Sequence, residues 1–489
     1  MLEELKEALA GCRLYERSLR QHEGRAFILA RDPQGERFLY IQGEALPGGF
    51  DCQEAFEGWR CPLSPGNAFA LQRLFPWLQP RPLRVNRLSF GFGDRLGLAT
   101  PGHIRALSGL GFTFTIFPVF AQQSIRELAR TERTPEEVMA DAIWGAFQEG
   151  YTSGFGADAD HLKTLDDLER AVPVGFTLYT CDPSDHVNDR ASTMTPAELE
   201  RAFAALPERE REQLRRRYLD REFELRDPES GEALRIRLDE ERLARAAVKY
   251  LPAIQHAVRM YQALKEGLKG KEFNFELSVD ETETPTTPEE HFFIASELRE
   301  AGVRLSGLAP RFVGQFQKAI DYIGDLRAFE EQLRAHAALA RALGPYKISV
   351  HSGSDKLRIY PLLKRYLGEL LHVKTAGTSY LEALRTLALE EPELFREIWS
   401  FALTRYDEDK RTYHVKERLQ LPDIEAIPDG RLAELFQQDD VRQLLHVTYG
   451  SVLARYRERL LSALKEHEER YWELLKEHFR RHLEPLREV

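Results

Sequence analysis

Asp158, Asp160, His161 and Lys163 set four ionisable side chains within six residues, directly after the apolar run Phe155-Gly156-Ala157. Burying that much charge without a ligand is costly, so such a stretch is either a solvated turn or a site. Its place at the end of a strand-like run favours a site. Farther along, Glu276, Ser278 and Asp280 fall on one face of another strand by two-residue alternation. An acidic face turned into a barrel requires a cation or a shared proton. One histidine near a strand end would more often be a core residue. Two of them, His161 and His351, joined by oxygen donors from neighbouring strands, match the mixed N and O ligand set of a divalent Zn, Mn, Ni or Co ion.

The elements that must position these groups form a strand, loop, helix rhythm starting at about residue 86. Strand candidates are Leu88 to Gly93, Phe112 to Val119, Ser153 to Ala159, Gly175 to Thr180, Phe273 to Val279, Val303 to Leu308, Lys347 to His351 and Val373 to Gly377. Thr134-Pro135-Glu136-Glu137, Thr195-Pro196-Ala197-Glu198 and Thr287-Pro288-Glu289-Glu290 each read as a capped helix start with proline in the first turn. Strands alternating with capped helices predict parallel pairing, and eight of them close a (β/α)8 TIM barrel, an α/β fold whose chemistry stands at the strand exits. Residues 1–85, with a hairpin around Asp32-Pro33-Gln34-Gly35, read as a β-containing lead domain and linker. The barrel is assigned to 86–402, with a helical insertion at about 183–270 serving as a lid or oligomer contact. A C-terminal helical extension takes 403–489.

The composition narrows the function. A net charge of -11 with both signs interspersed excludes general nucleic-acid affinity, and an anionic substrate would need its own local Arg or Lys clamp. Cys12, Cys52, Cys61 and Cys181 show no CxxC pairing, so neither a disulfide framework nor a zinc ribbon is expected and a reducing cytoplasm is the expected location. A charged amphipathic start and the lack of a long apolar run argue against a signal peptide or a membrane span. Gly91-Phe92-Gly93-Asp94-Arg95 has the wrong spacing for a dinucleotide loop. Gln122, Gln123 and Arg126 suit sugar hydroxyls and a carboxylate.

Phe90-Gly91-Phe92-Gly93-Asp94-Arg95-Leu96-Gly97, Phe155 to Thr164, Arg311-Phe312-Val313-Gly314 and Val350-His351-Ser352-Gly353-Ser354-Asp355-Lys356 together resemble the tagaturonate epimerase family. The resemblance implies a divalent-metal enzyme interconverting tagaturonate and fructuronate, with weaker action on tagatose and fructose, and a small ketose or ketose acid as its partner. It implies Asp160 as proton acceptor, Glu276 as proton donor, and His161 and His351 as metal ligands. The third ligand falls at Gln317, where the family pattern favours an acidic residue, and Asp280 and Asp321 are the alternatives. Asp94 and Gln122 are further substrate-binding candidates, and Lys163, Arg311 and Lys356 form a carboxylate clamp.

The chemistry is physically coherent. The inverted carbon lies β to the ketone, so its C–H is not acidified by enolisation, and retro-aldol cleavage, rotation and re-addition is one route. Rival readings are a Schiff-base aldolase using Lys374 or Lys347, and a sugar-binding barrel without turnover.

Overall fold

The computed structural model describes residues 1–489 apart from 110, 112–114, 230, 232, 414 and 488–489. The chain begins with helix Leu2–Ala8 and a five-stranded antiparallel sheet of β1 (Arg13–His22), β2 (Arg25–Arg31), β3 (Arg37–Gln42), β4 (Gln53–Ala55) and β5 (Gly58–Pro62), in the order β1-β2-β3-β5-β4. The expected turn forms because Asp32 Oδ1 accepts from Gln34 N and Glu36 N at 3.0 and 2.8 Å. Alternation splits the sheet into two faces. Ile28, Ala30, Phe38 and Tyr40 pack under Leu5 and Leu9, while Phe27, Leu29, Leu39 and Ile41 join the main core.

One expectation fails in this sheet. Cys52 and Cys61 are disulfide-bonded, with their Cα atoms 4.2 Å apart. The β4–β5 register pairs Gln53 with Arg60, so the flanking cysteines stand opposite one another across the hairpin.

The barrel is closed and wholly parallel. β6 (Ser89–Phe92), β7 (Phe117–Ser124), β8 (Gly156–Leu162) and β9 (Leu178–Cys181) are followed by an inserted antiparallel hairpin, β10 (Glu222–Arg226) and β11 (Ala233–Arg237). β12 (Asn274–Ser278), β13 (Gly307–Ala309), β14 (Lys347–Val350) and β15 (Leu371–Thr375) complete the ring. β9 pairs with β12 across the insertion, and β15 closes on β6. Capping boxes form at Thr134, Thr195 and Thr287 as their spacing predicts. The start expected at Phe112 lies outside the described residues. β7 runs through Ser124 and β8 through Leu162, so segments expected as strand exits belong to the strands themselves.

The insertion packs along the outside of the barrel. Its 29-residue helix Glu240–Leu268 buries Leu243, Ala247, Tyr250, Leu251 and Ile254 on the barrel flank. The β10–β11 hairpin, which a purely helical reading omits, packs Phe223 against Phe292 with ring centroids 4.7 Å apart. Among the described residues, none from 183–270 lines the cavity that holds His161 and His351, although Ser184 and Asp185 bind Lys163 on its wall. The C-terminal extension reaches the cavity, with Tyr413 and His446 on its wall. Helix Pro392–Asp409 runs through position 402, so the boundary read from the sequence falls inside an element. Helix Glu468–Leu483 lies on helix Thr100–Gly109 at Gly102, where a Cβ would meet the Leu475 Cβ at 2.8 Å. Trp472 Nε1 donates to Leu98 O at 2.9 Å and ties the same helix to the start of the barrel.

Candidate active site and metal centre

Consecutive strand residues point to opposite faces, so Asp160 and His161 could not both face one cavity on a regular strand. They do so because β8 bulges against β9: Ala159 pairs with Tyr179 but Leu162 pairs with Cys181. The backbone at His161 takes a φ of 52°, and Ser352, beside His351, takes the same value. Strained residues of this kind persist where the surroundings over-determine them, and here both flank one cavity. Its volume is about 280 Å³, near the lower end of ligand pockets, which run from about 300 Å³ upward.

The His161 and His351 rings lie 4.9 Å apart, from strands on different sides of the barrel. Asp280 joins them, with Oδ1 3.3 Å from His351 Nδ1 and 3.9 Å from His161 Nε2. The three donor atoms sit within 4.8 Å of one another. His161 Nδ1 is 2.9 Å from Asp160 Oδ1 and His351 Nε2 is 2.8 Å from Glu276 Oε1, so each ring is oriented through one nitrogen and turns the other toward Asp280.

Beneath this triad, Lys374 is 3% exposed and is surrounded by carboxylates. Its Nζ lies 2.7 Å from Asp158 Oδ2 and 2.8 Å from both Asp160 Oδ1 and Glu276 Oε1. Burial pushes the Asp158 carboxyl up to about 7. At Asp160 burial acts the same way, but His161 and Lys374 outweigh it and hold the group well below the usual range. Glu276 and Asp280 are held down likewise, by Lys374 with His351 and by His351 with His161 respectively, against their burial. Burial disfavours the His161 imidazolium, yet Asp160, Asp280 and Asp182 raise it to about 10. The field of this pocket is one that retains positive charge.

The residues singled out from the sequence divide. Asp160, His161, His351, Gln122 and Lys163 line the cavity. Glu276 sits one layer below, 1% exposed, beneath His351 and Lys374. The Gln317 amide is engaged elsewhere, with Gln315 and Gln443 at 2.7 and 2.8 Å, and it is Asp280 that groups with the two histidines. Asp321 caps a turn through Tyr322 N at 2.7 Å. Asp94 accepts from Leu96, Gly97 and Ala99 N–H groups and shapes a loop. Lys356 is buried and donates to the carbonyls of Gln317, Ile320 and Ser354. Arg311 lies off the main cavity, on an adjoining chamber. The missing physical information in each case is loop geometry, which no periodicity encodes.

Sequence reasoning missed Lys318, Ser352, Tyr413 and His446 as cavity residues. Ser352 had a readable signal, since it follows His351 directly. His446 reaches the wall only because Gly377 has no side chain; a Cβ there would fall 1.9 Å from the ring. A second cluster, Asp355, His478 and His482, is already satisfied internally. His482 Nε2 accepts from Asp355 N at 2.8 Å, His478 Nδ1 lies 3.0 Å from Glu382, and Arg442 is 2.6 Å from Asp355. It fastens the C-terminal helix to the loop that carries His351. Lys347 donates to Arg87 O and Glu369 O at 2.7 and 2.9 Å, at the opposite end of the barrel.

A family model described as tagaturonate epimerase (UxaE) matches residues 15–486. The tagaturonate/fructuronate epimerase of Thermotoga maritima is 45% identical over 465 residues, covering 93% of each chain. A glycerol-complexed crystal structure of fructuronate-tagaturonate epimerase UxaE from Cohnella laeviribosi superimposes with a TM-score of 0.92 at 38% identity, covering 99% of both chains. The native crystal structure of that protein gives 0.93 at 38% identity, over 99% of this chain and 98% of the other.

Proposed function

This chain belongs to the tagaturonate epimerase family and is a carbohydrate epimerase, and from that premise we propose that it interconverts D-tagaturonate and D-fructuronate with a bound divalent metal ion. Tagatose and fructose are its weaker, neutral pair. The observation that carries the reading is the convergence of His161, Asp280 and His351 beside Asp160 in one cavity at the strand exits.

The donor set matches a first-row divalent ion: two imidazoles oriented by carboxylates, plus an aspartate held ionised. His161, Asp280 and His351 would hold it, in place of Gln317. When bound, such an ion supplies Lewis-acid stabilisation of negative charge on substrate oxygen. The protein's own groups do the rest. Asp160, ionised and on the cavity wall, accepts the proton of the hydroxyl on the carbon to be inverted, which starts retro-aldol cleavage of the adjacent carbon–carbon bond. After the aldehyde rotates, re-addition returns a proton to the new alkoxide. Lys374, whose ammonium touches both Asp160 and Glu276, gives that proton and regains it from the protonated Asp160, while the ionised Glu276 holds the ammonium in place. Gln122 and Lys163 bind substrate hydroxyls.

A Schiff-base route through Lys374 is disfavoured, because Asp158, Asp160 and Glu276 overcome burial and hold its ammonium charged, which removes the lone pair an imine requires. Lys347 is at the wrong end of the barrel. The test is to incubate metal-reconstituted protein with tagaturonate, follow fructuronate by NMR, and repeat after chelation. Turnover that stops on chelation and returns with added metal is expected. Full activity in chelator, or a borohydride-trapped adduct at Lys374, would overturn the mechanism.

A further inference from the structure

The cavity wall carries five lysine and arginine side chains, Arg95, Arg126, Lys163, Lys318 and Lys374. Four are neutralised by ion pairs. Arg95 is 2.8 Å from Glu127, Arg126 is 3.0 Å from Glu281, Lys163 is 3.1 Å from Asp185, and Lys374 sits among three carboxylates. Among the described residues, Lys318 alone of the five has no carboxylate within ion-pair distance. Its Nζ donates to Ser352 Oγ, which leaves the hydroxyl proton of Ser352 free to point at a ligand.

Lys318 also stands on the wall shared with the adjoining chamber of about 400 Å³ that holds Arg311 and Tyr413. A ligand anchored at the His161–Asp280–His351 triad and extending toward that chamber passes Lys318. An unpaired ammonium in a confined, half-buried position is unfavourable until an anion meets it. Burial does lower the affinity of Lys318 for its proton, while Glu281 and Asp280 act in the opposite direction.

We propose that Lys318 and the Ser352 hydroxyl form the carboxylate clamp of this site and set its preference for a ketose acid over a neutral ketose. The clamp rests on the epimerase reading above and replaces the assignment of Arg311 and Lys356 to that task. Lys318 is thus a specificity residue that meets the substrate's carboxylate, and not an acid or base.

The test compares wild type with Lys318→Met, Lys318→Gln and Lys318→Arg, each loaded with metal and checked for metal content and thermal midpoint. A charge-assisted hydrogen bond lost from a confined site weakens binding by roughly 10- to 100-fold. The expected result is a fall of that size in kcat/KM for tagaturonate relative to tagatose, carried by KM, with Lys318→Arg recovering most of it. Calorimetric titration of fructuronate onto the same proteins gives a readout independent of turnover. Equal losses for both ketoses, or unchanged fructuronate affinity in Lys318→Met and Lys318→Gln, overturn the clamp. Wild type that binds fructuronate through Lys318 without converting it would sink the epimerase reading and keep the clamp. Wild type that binds no fructuronate would sink both.

Discussion

Replacing Lys374 with methionine probes the charge balance under the site most directly. The ammonium makes three contacts of 2.7 to 2.8 Å with Asp158, Asp160 and Glu276. At an effective dielectric of about 20, each contact has a gross attraction of roughly 6 kcal/mol. Desolvation of the buried ions offsets much of that, and breaking a buried pair by removing one partner has a net cost of about 3–5 kcal/mol. Methionine fills similar volume, so the loss is electrostatic. The three carboxylates then repel one another, and Asp158 is the one to take up a proton, because burial already pushes it up to about 7. A carboxyl whose folded pKa lies above its unfolded value destabilises the fold at high pH and is relieved as pH falls. Lys374→Met is therefore expected to shift the urea midpoint far more at pH 8 than at pH 5.5. Adding Asp158→Asn should recover about 2 kcal/mol at pH 8 by removing one of the repelling charges. A loss below about 1 kcal/mol, or one that is equal at the two pH values, would refute this account of the network.

The other predictions follow from single contacts. His161→Ala and His351→Ala should each lose most bound metal by elemental analysis and lower activity at least about 100-fold, whereas Gln317→Ala should keep its metal. Retention of metal by both histidine variants would remove the proposed ligand set. His478 is raised from 6.5 to about 9, with burial opposing and Glu382 and Asp355 outweighing it. Its contribution to stability is thus complete below pH 6.5 and fades as pH rises through 9, by about 3 kcal/mol at most. Thermal midpoints of wild type should drop across that window, and those of His478→Gln should be lower at pH 6 and flatter. Gly377→Ala drives a methyl group into the His446 ring, so it should cost about 1–3 kcal/mol and reduce turnover. Unaltered melting and kinetics in that variant would show that the wall of the pocket can move aside.

The sequence by itself determined the barrel and several of the side chains that meet in its cavity. Alternating strands and threonine-proline helix starts are local signals, and each acts through hydrogen bonds within a few residues. That is why the capping boxes at Thr134, Thr195 and Thr287 were legible along with the β2–β3 hairpin. The strings around His161 and His351 marked two ends of one site, since strand exits of a barrel must meet at one mouth.

Tertiary structure decided which neighbours those residues have. The β8 bulge that turns Asp160 and His161 to the same side arises from pairing with β9, and no periodicity in β8 alone encodes it. Asp280 rather than Gln317 stands beside the histidines because loop geometry after β12 and β13 aims the side chains. Cys52 and Cys61 meet only through the β4–β5 register. The ion pairs that engage four of the five lysine and arginine side chains on the cavity wall also come largely from residues distant in sequence, such as Glu281 for Arg126 and three separate carboxylates for Lys374. Local sequence dictates backbone conformation through short-range hydrogen bonding, whereas electrostatic partnership is set by distances that exist only once the barrel has closed.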